Sequence, residues 1–139
     1  MAGISSDVIR GYNDTMILRI LLDAPSYGYE ISKEITRRSD GKYRIKETTL
    51  YSAFTRLERN GLTESYSDVG KENGKRRTYY RLTEAGRQYY REKCEEWQLT
   101  KDVVERFVVD CSAVDGGMHE ATDDREMEDA DRRTDGEED

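Results

Sequence analysis

At Gly61 the hydrophobic pattern of this chain changes period, and few folds accommodate such a change in so short a span. Before it, three apolar stretches repeat with helical spacing. After it, Leu62 to Asp68 and Arg77 to Thr83 alternate as half-buried strands do. Val69-Gly70-Lys71-Glu72-Asn73-Gly74-Lys75-Arg76, between the strands, is polar, holds two glycines and reads as a hairpin loop. A chain of 139 residues has room for one such domain with an appendage, and two compact domains are not expected.

From Val8 to Leu22 nine of fifteen residues are apolar or tyrosine, and those from Met16 to Leu22 point all round a helical wheel apart from Arg19. A helix of this kind must be covered on more than one side. Asp23-Ala24-Pro25-Ser26 ends it, because proline disfavours helix in the residue before it, and Ser26 is expected to cap a second helix from about Tyr27 to Arg38. Ser39-Asp40-Gly41 is a stop, and Lys42-Tyr43-Arg44-Ile45 alternates as a short strand would. Glu47-Thr48-Thr49 leads into a third helix closed by Asn60-Gly61.

Thr83 is expected to cap a fourth helix, from about Glu84 to Asp110. In it Tyr90, Cys94, Trp97, Lys101, Val104 and Val108 form a coiled-coil-like seam with one charged member. Such a seam at the end of a small domain calls for a partner helix.

Charge divides the chain. Residues 112–139 hold 3 Lys+Arg against 12 Asp+Glu, so the acidic balance of −7 belongs to this segment and the body is mildly basic. The segment has almost no aliphatic content and is expected to be disordered. A basic body with ten tyrosines suits a polyanion partner. No apolar run approaches a membrane span, no signal peptide pattern opens the chain, and Cys94 and Cys111 are too few for a disulfide framework. The expected setting is the cytoplasm, with reduced thiols.

Three short helices followed by a two-stranded basic hairpin is the order of a winged helix-turn-helix. On the third helix Leu50, Ala53, Phe54 and Leu57 share one face, while Thr48, Ser52, Thr55 and Arg59 share the opposite one. That second face is small, hydroxyl-bearing and free of acid, so it suits a DNA major groove as well as it suits plain solvent. Lys71, Lys75, Arg76 and Arg77 project from the thin hairpin, where they are placed to follow a phosphate backbone. Tyr80 and Leu82 share a strand face and are expected in the core, whereas Tyr27 and Tyr51 flank the reading helix as hydroxyl donors to phosphates.

Tyr27-Gly28-Tyr29-Glu30-Ile31, then Thr49-Leu50-Tyr51, Arg56-Leu57-Glu58 and Gly61-Leu62, then Lys75-Arg76-Arg77-Thr78-Tyr79-Tyr80-Arg81-Leu82-Thr83-Glu84-Ala85-Gly86, resemble the PadR family of bacterial transcriptional regulators. The resemblance covers residues 8 to about 108. It implies a homodimer joined by the first and last helices that binds an inverted-repeat operator in double-stranded DNA and usually represses it.

The position of Trp97 further resembles the small multidrug-binding repressors of the family, in which a tryptophan from each subunit sandwiches a planar aromatic ligand. This implies a ligand-lining set of Val8, Asp14, Thr15, Cys94, Trp97, Lys101 and Val104. The chain departs from that subgroup at Lys101, where a carboxylate is usual, at Asp14 in place of an amide, and at Cys94 in place of an aromatic. Lys101 disfavours a cationic ligand unless Asp14 neutralises it, so neutral or anionic planar compounds are expected. A lone tryptophan on a seam is equally at home as interface core.

Catalytic constellations are missing. Gly70 to Arg76 fails the phosphate-loop pattern in its spacing and lacks a hydroxyl after the lysine. Asn13-Asp14-Thr15 is a glycosylation sequon within a helix, the Asp129 region fails the calcium-loop pattern, and His119, the one histidine, lies in the acidic segment. The expected protein is a mainly α (α+β) winged helix-turn-helix with a C-terminal dimerisation helix: residues 1–83 bind DNA, 84–111 dimerise and 112–139 form the acidic tail. The expected function is a ligand-responsive dimeric repressor, without cofactor, metal or enzymatic activity. The alternative is a winged-helix protein-interaction module without specific DNA binding.

Overall fold

The structure is a computed structural model, and it describes residues 3–70 and 74–108. The chain divides into two units, residues 1–100 and 101–139. The elements are α1 (Ser6–Asp23), β1 (Ser26–Tyr27), α2 (Gly28–Arg38), α3 (Glu47–Arg59), β2 (Thr63–Val69), β3 (Arg76–Leu82) and α4 (Glu84–Glu105). The fourth helix thus ends at Glu105, short of the expected Asp110. The acidic segment, with Cys111 and His119, and Lys71 in the hairpin loop lie outside the described residues.

Ser5 caps α1 by accepting from the Val8 N–H at 3.3 Å. Ile17, Leu18, Ile20 and Leu21 of this helix are all buried, as an all-round apolar stretch requires. Ile31 and Ile35 of α2 meet them at helical spacing, and Leu50, Ala53, Phe54 and Leu57 turn the inner face of α3 into the same core. Tyr80 and Leu82 of β3 pack against this cluster from the sheet side.

The hairpin is antiparallel, with Thr63 opposite Leu82 and Val69 opposite Arg76, so both strands lie one residue away from their expected limits. Sequence reading missed β1, a two-residue strand that pairs Ser26 with Tyr80 and Tyr27 with Tyr79, giving the sheet order β1-β3-β2. Ser26 is therefore not the cap of α2. Its backbone belongs to the sheet, its hydroxyl donates to the Glu30 carboxylate at 2.5 Å, and the N-cap is Tyr27, which makes no side-chain capping bond. Residues 42–45 form no strand, because they pair with none of the three strands. Ile45 is buried instead, and the Tyr43 hydroxyl donates to the buried Asn13 amide oxygen at 2.6 Å. That bond buries the sequon asparagine.

The α3–β2 turn closes through Gly61 at φ 73°, with Leu62 N–H donating to Leu57 O at 2.9 Å and Gly61 N–H to Glu58 O at 3.0 Å. The Thr83 hydroxyl donates to the Gly61 carbonyl at 2.7 Å and accepts from the Gly86 N–H at 3.0 Å, so one side chain joins the start of β2 to the start of α4. Helices α1 to α3 with a β-hairpin beside α3 form a winged helix-turn-helix.

Gly86 is buried where a Cβ would lie 2.1 Å from the Leu62 carbonyl oxygen and 2.8 Å from Leu82 Cδ1. Backbone on one side leaves no room to yield. Gly86→Ala should destabilise the domain by at least the roughly 1–3 kcal/mol of an overpacked core, read as a lowered midpoint in urea or thermal unfolding. Gly11→Ala, which meets nothing within 4 Å, is the matched control.

Candidate nucleic-acid interface

Burying Leu50, Ala53, Phe54 and Leu57 leaves Thr48, Ser52, Thr55 and Arg59 exposed on the other side of α3, as the spacing predicts. Thr49 is half-buried at the edge of this face. The Thr55 hydroxyl donates to the Tyr51 carbonyl at 3.1 Å, so outward it offers its methyl group and an acceptor. Arg56 is held in an ion pair. Its guanidinium donates from Nε at 3.1 Å and from a second nitrogen to the Asp14 carboxylate of α1, and this bond raises its already high pKa. The pair ties the reading helix to α1.

On the hairpin, Lys75 and Arg76 are exposed, and one Arg76 nitrogen donates to Ser67 Oγ at 3.2 Å. Arg77 does not project as expected. It is half-buried, with its guanidinium carbon 4.3 Å from the centre of the Tyr27 ring. Tyr27 in turn meets Tyr79 edge-on at 5.4 Å, and Tyr79 stacks on Tyr66 at 5.8 Å. Tyr80 stacks on Phe54 at 4.0 Å, and burial raises the pKa of its phenol.

A cleft of about 370 Å³ opens between Tyr27, Tyr29, Tyr51, Arg77 and Thr78, so the flank of α3 and the root of the wing share one depression. Gly28 makes this possible. A Cβ there would lie 2.5 Å from the half-exposed Tyr51 hydroxyl, so the bare glycine backbone lets the phenol settle against the start of α2.

A second cleft, of about 290 Å³, lies between α1 and α4. Val8, Thr15 and Trp97 line it together with Tyr12, Asp7 and Glu96, and Lys93 and Thr100 complete its rim. Trp97 is 42% exposed and meets the Tyr12 ring edge-on at 5.4 Å. The other residues expected with it are elsewhere. Asp14 turns to Arg56, and half-buried Cys94 lies beside Tyr90, whose phenol is pushed up by burial and by its bond with Cys94. Lys101 and Val104 belong to the second unit and are exposed there.

Tyr12, Asp7 and Glu96 were missed, although Tyr12 stands one turn after Val8 and Glu96 next to Trp97. Lys93 donates to Glu96 at 2.9 Å, and this bond raises the lysine pKa. Leu99 of the first unit and Val103 and Phe107 of the second are exposed apolar residues outside the expected seam. Among the described residues no group of His, Cys, Asp and Glu could hold a metal, and no helix is long and apolar enough to cross a membrane.

Comparison with known proteins adds three close likenesses. A transcriptional regulator from Clostridium thermocellum is 62% identical, with 76% of this chain and 98% of that one covered and a TM-score of 0.69. A PadR family transcription regulator from Clostridium difficile R20291 is 37% identical over 70% of this chain and 98% of its own, at a TM-score of 0.61. An uncharacterized protein of Lysinibacillus sphaericus is 43% identical over 105 residues, which is 76% of this chain and 95% of that protein. The model of the transcriptional regulator PadR-like family matches residues 17–92, the stretch that runs from the core of α1 through the reading helix and wing into α4, and this chain belongs to that family of DNA-binding transcriptional regulators rather than enzymes.

Proposed function

We propose that this PadR-like regulator is a dimeric, effector-responsive repressor of an inverted-repeat operator, working in the cytoplasm. The observation that carries the reading is the acid-free outer face of α3, flanked through one cleft by the arginine-bearing root of the wing. Thr48, Thr49, Ser52 and Thr55 meet the major groove, Tyr27 and Tyr51 donate to phosphates, and Lys71, Lys75, Arg76 and Arg77 follow the backbone. Residues 1–83 thus carry DNA binding, 84–111 dimerisation, and 112–139 form an acidic appendage.

Phosphate contacts should dominate affinity, because the reading face offers hydroxyls and one arginine rather than several bidentate side chains. Arg76→Ala combined with Arg77→Ala should weaken binding to every duplex and lower the salt slope by roughly 0.9 for each phosphate that is no longer neutralised. Ser52→Ala should instead shift sequence preference in operator selection. An arginine pair that altered preference and left the slope intact would remove the wing from the interface.

Dimerisation is supported by apolar surface left open on the last helix and after it. Trp97 is 42% exposed, Val104 49% and Val108 64%. A two-fold partner would cover them. Val104→Asp should place an unpaired charge in that seam, at a cost of several kcal/mol, and sediment as a monomer at micromolar concentration where the native chain is a dimer.

The effector reading belongs to the multidrug-binding subgroup and is supported by the half-open Trp97 indole over a cleft with Tyr12, Val8 and Thr15. Cys94 and Asp14, and Lys101 and Val104 in their own unit, stay in the proposed ligand-binding set, although none of them lines this cleft. Of the acids lining the cleft, Asp7 is paired with Arg10 at 3.0 Å and Glu96 with Lys93 at 2.9 Å, and Asp14 is spent on Arg56. The proposed ligand is therefore the neutral or anionic planar aromatic compound that Lys101 suggests. A neutral or anionic planar dye should quench Trp97 fluorescence, a cationic dye of the same shape should bind less well, and Lys101→Asp should improve binding of the cationic dye. Preference of the native chain for the cationic dye would show that the acids outweigh Lys101.

A further inference from the structure

We propose that Tyr27 and Gly70 are positioning residues that seat the Arg77 guanidinium in advance as a fixed phosphate ligand at the root of the wing. The inference rests on the reading of that surface as a DNA contact, and it names the part of it that is built before DNA arrives.

The seat has two walls. One is the Tyr27 ring, 4.3 Å from the guanidinium carbon. That ring is itself held, because Tyr27 pairs with Tyr79 in the sheet and meets its ring edge-on at 5.4 Å. The other wall is the space over Gly70. A Cβ built on Gly70 would lie 2.4 Å from the Arg77 terminal nitrogen and 3.2 Å from its Cζ, so the guanidinium occupies the volume that any other side chain at 70 would claim. The backbone does not need glycine here for its own sake. Gly41, Gly61 and Gly74 have positive φ, and Gly70 does not. Its nearest backbone neighbour, the Lys75 carbonyl oxygen, would stand 3.6 Å from the added carbon, an ordinary contact. What the missing side chain makes room for is Arg77.

Charge points the same way. Arg81, further along β3, donates to Glu64 at 3.3 Å. Arg77 stands opposite Asp68 in the ladder, but that carboxylate accepts from the Val69 N–H at 2.7 Å, and among the described residues no carboxylate pairs with Arg77. The arginine is oriented by an aromatic face and a gap, and its charge is left unspent toward the cleft that Tyr51 and Thr78 also line. A planar fork held in this way matches phosphate and has less rotamer freedom to lose on binding.

Gly70→Ala tests this cleanly, because it adds one methyl group against the guanidinium and otherwise meets only ordinary contacts. Binding of the full chain to a labelled random-sequence duplex would be followed across salt for Gly70→Ala, Arg77→Ala and the double variant, with thermal midpoints as a folding control. Arg77→Ala should lower the salt slope by about 0.9. Gly70→Ala should weaken binding about three- to tenfold in the native background, the range of one aromatic–cation contact, and should have no effect in the Arg77→Ala background. Tyr27→Phe removes the hydroxyl and keeps the ring face, so adding Gly70→Ala to it should still weaken binding by the factor seen in the native background, whereas adding Gly70→Ala to Tyr27→Leu should weaken it no further. Native affinity for Gly70→Ala, or an equal loss with and without Arg77, overturns the seat alone. A native chain that does not bind duplex, or an Arg77→Ala slope equal to the native one, overturns the DNA reading and the seat with it.

Discussion

Ile17, Leu18, Ile20 and Leu21 lie on different sides of α1, and the need to cover all of them arranges the other elements of the first unit. Ile31 and Ile35 bring α2 to that helix, the inner face of α3 comes with Leu50, Ala53, Phe54 and Leu57, and β3 adds Tyr80 and Leu82. The outer face of α3 is then set by elimination. The polar positions of α1 work between these contacts: Asn13 accepts from Tyr43, Asp14 holds Arg56 of the reading helix, and Tyr12 meets Trp97 of α4. One helix thus carries both the seat of the reading helix and a wall of the cleft at Trp97.

The basic residues of this chain are sorted by partner rather than by position in the sequence. Arg37 and Arg38 are bound to Glu34, whose carboxyl they hold at about 2, and Arg38 also reaches Asp23, which Arg19 shares. Arg56 is spent on Asp14 and Arg81 on Glu64. A count of basic side chains therefore overstates what a polyanion would meet. The positive charge of Arg77, stacked on a phenol ring and, among the described residues, paired with no acid, stays available to the cleft beside the reading helix.

Much of the fold was legible because it is set by short-range pattern. The two faces of α3, the stops at Gly41 and Gly61, the Thr83 cap and the hairpin all follow from spacing or from a single residue's conformational freedom. Errors came where a residue's partner lies far along the chain. Ser26 looked like a cap, but it joins a strand whose mate is Tyr80, more than fifty residues on. Residues 42–45 alternate as a strand does, yet alternation makes a strand only where the segment lies alongside another strand and pairs with it. Arg77 looked free to project, and its resting place depends on Tyr27 and on the space over Gly70.

The sequence by itself determined the winged-helix order, the acid-free reading face and the family likeness, because each is written in local periodicity and in fragments of contiguous residues. Only the tertiary structure decided which charges remain open and which residues share a cleft. Asp14 could not be assigned to Arg56 rather than to the Trp97 side from its position on α1, since helical geometry gives a direction from the axis and not the identity of the neighbour that lies there. Glu96 and Tyr12 joined Trp97, and Asp14 and Cys94 did not, because the packing of α4 against α1 chose among side chains that the sequence offered equally.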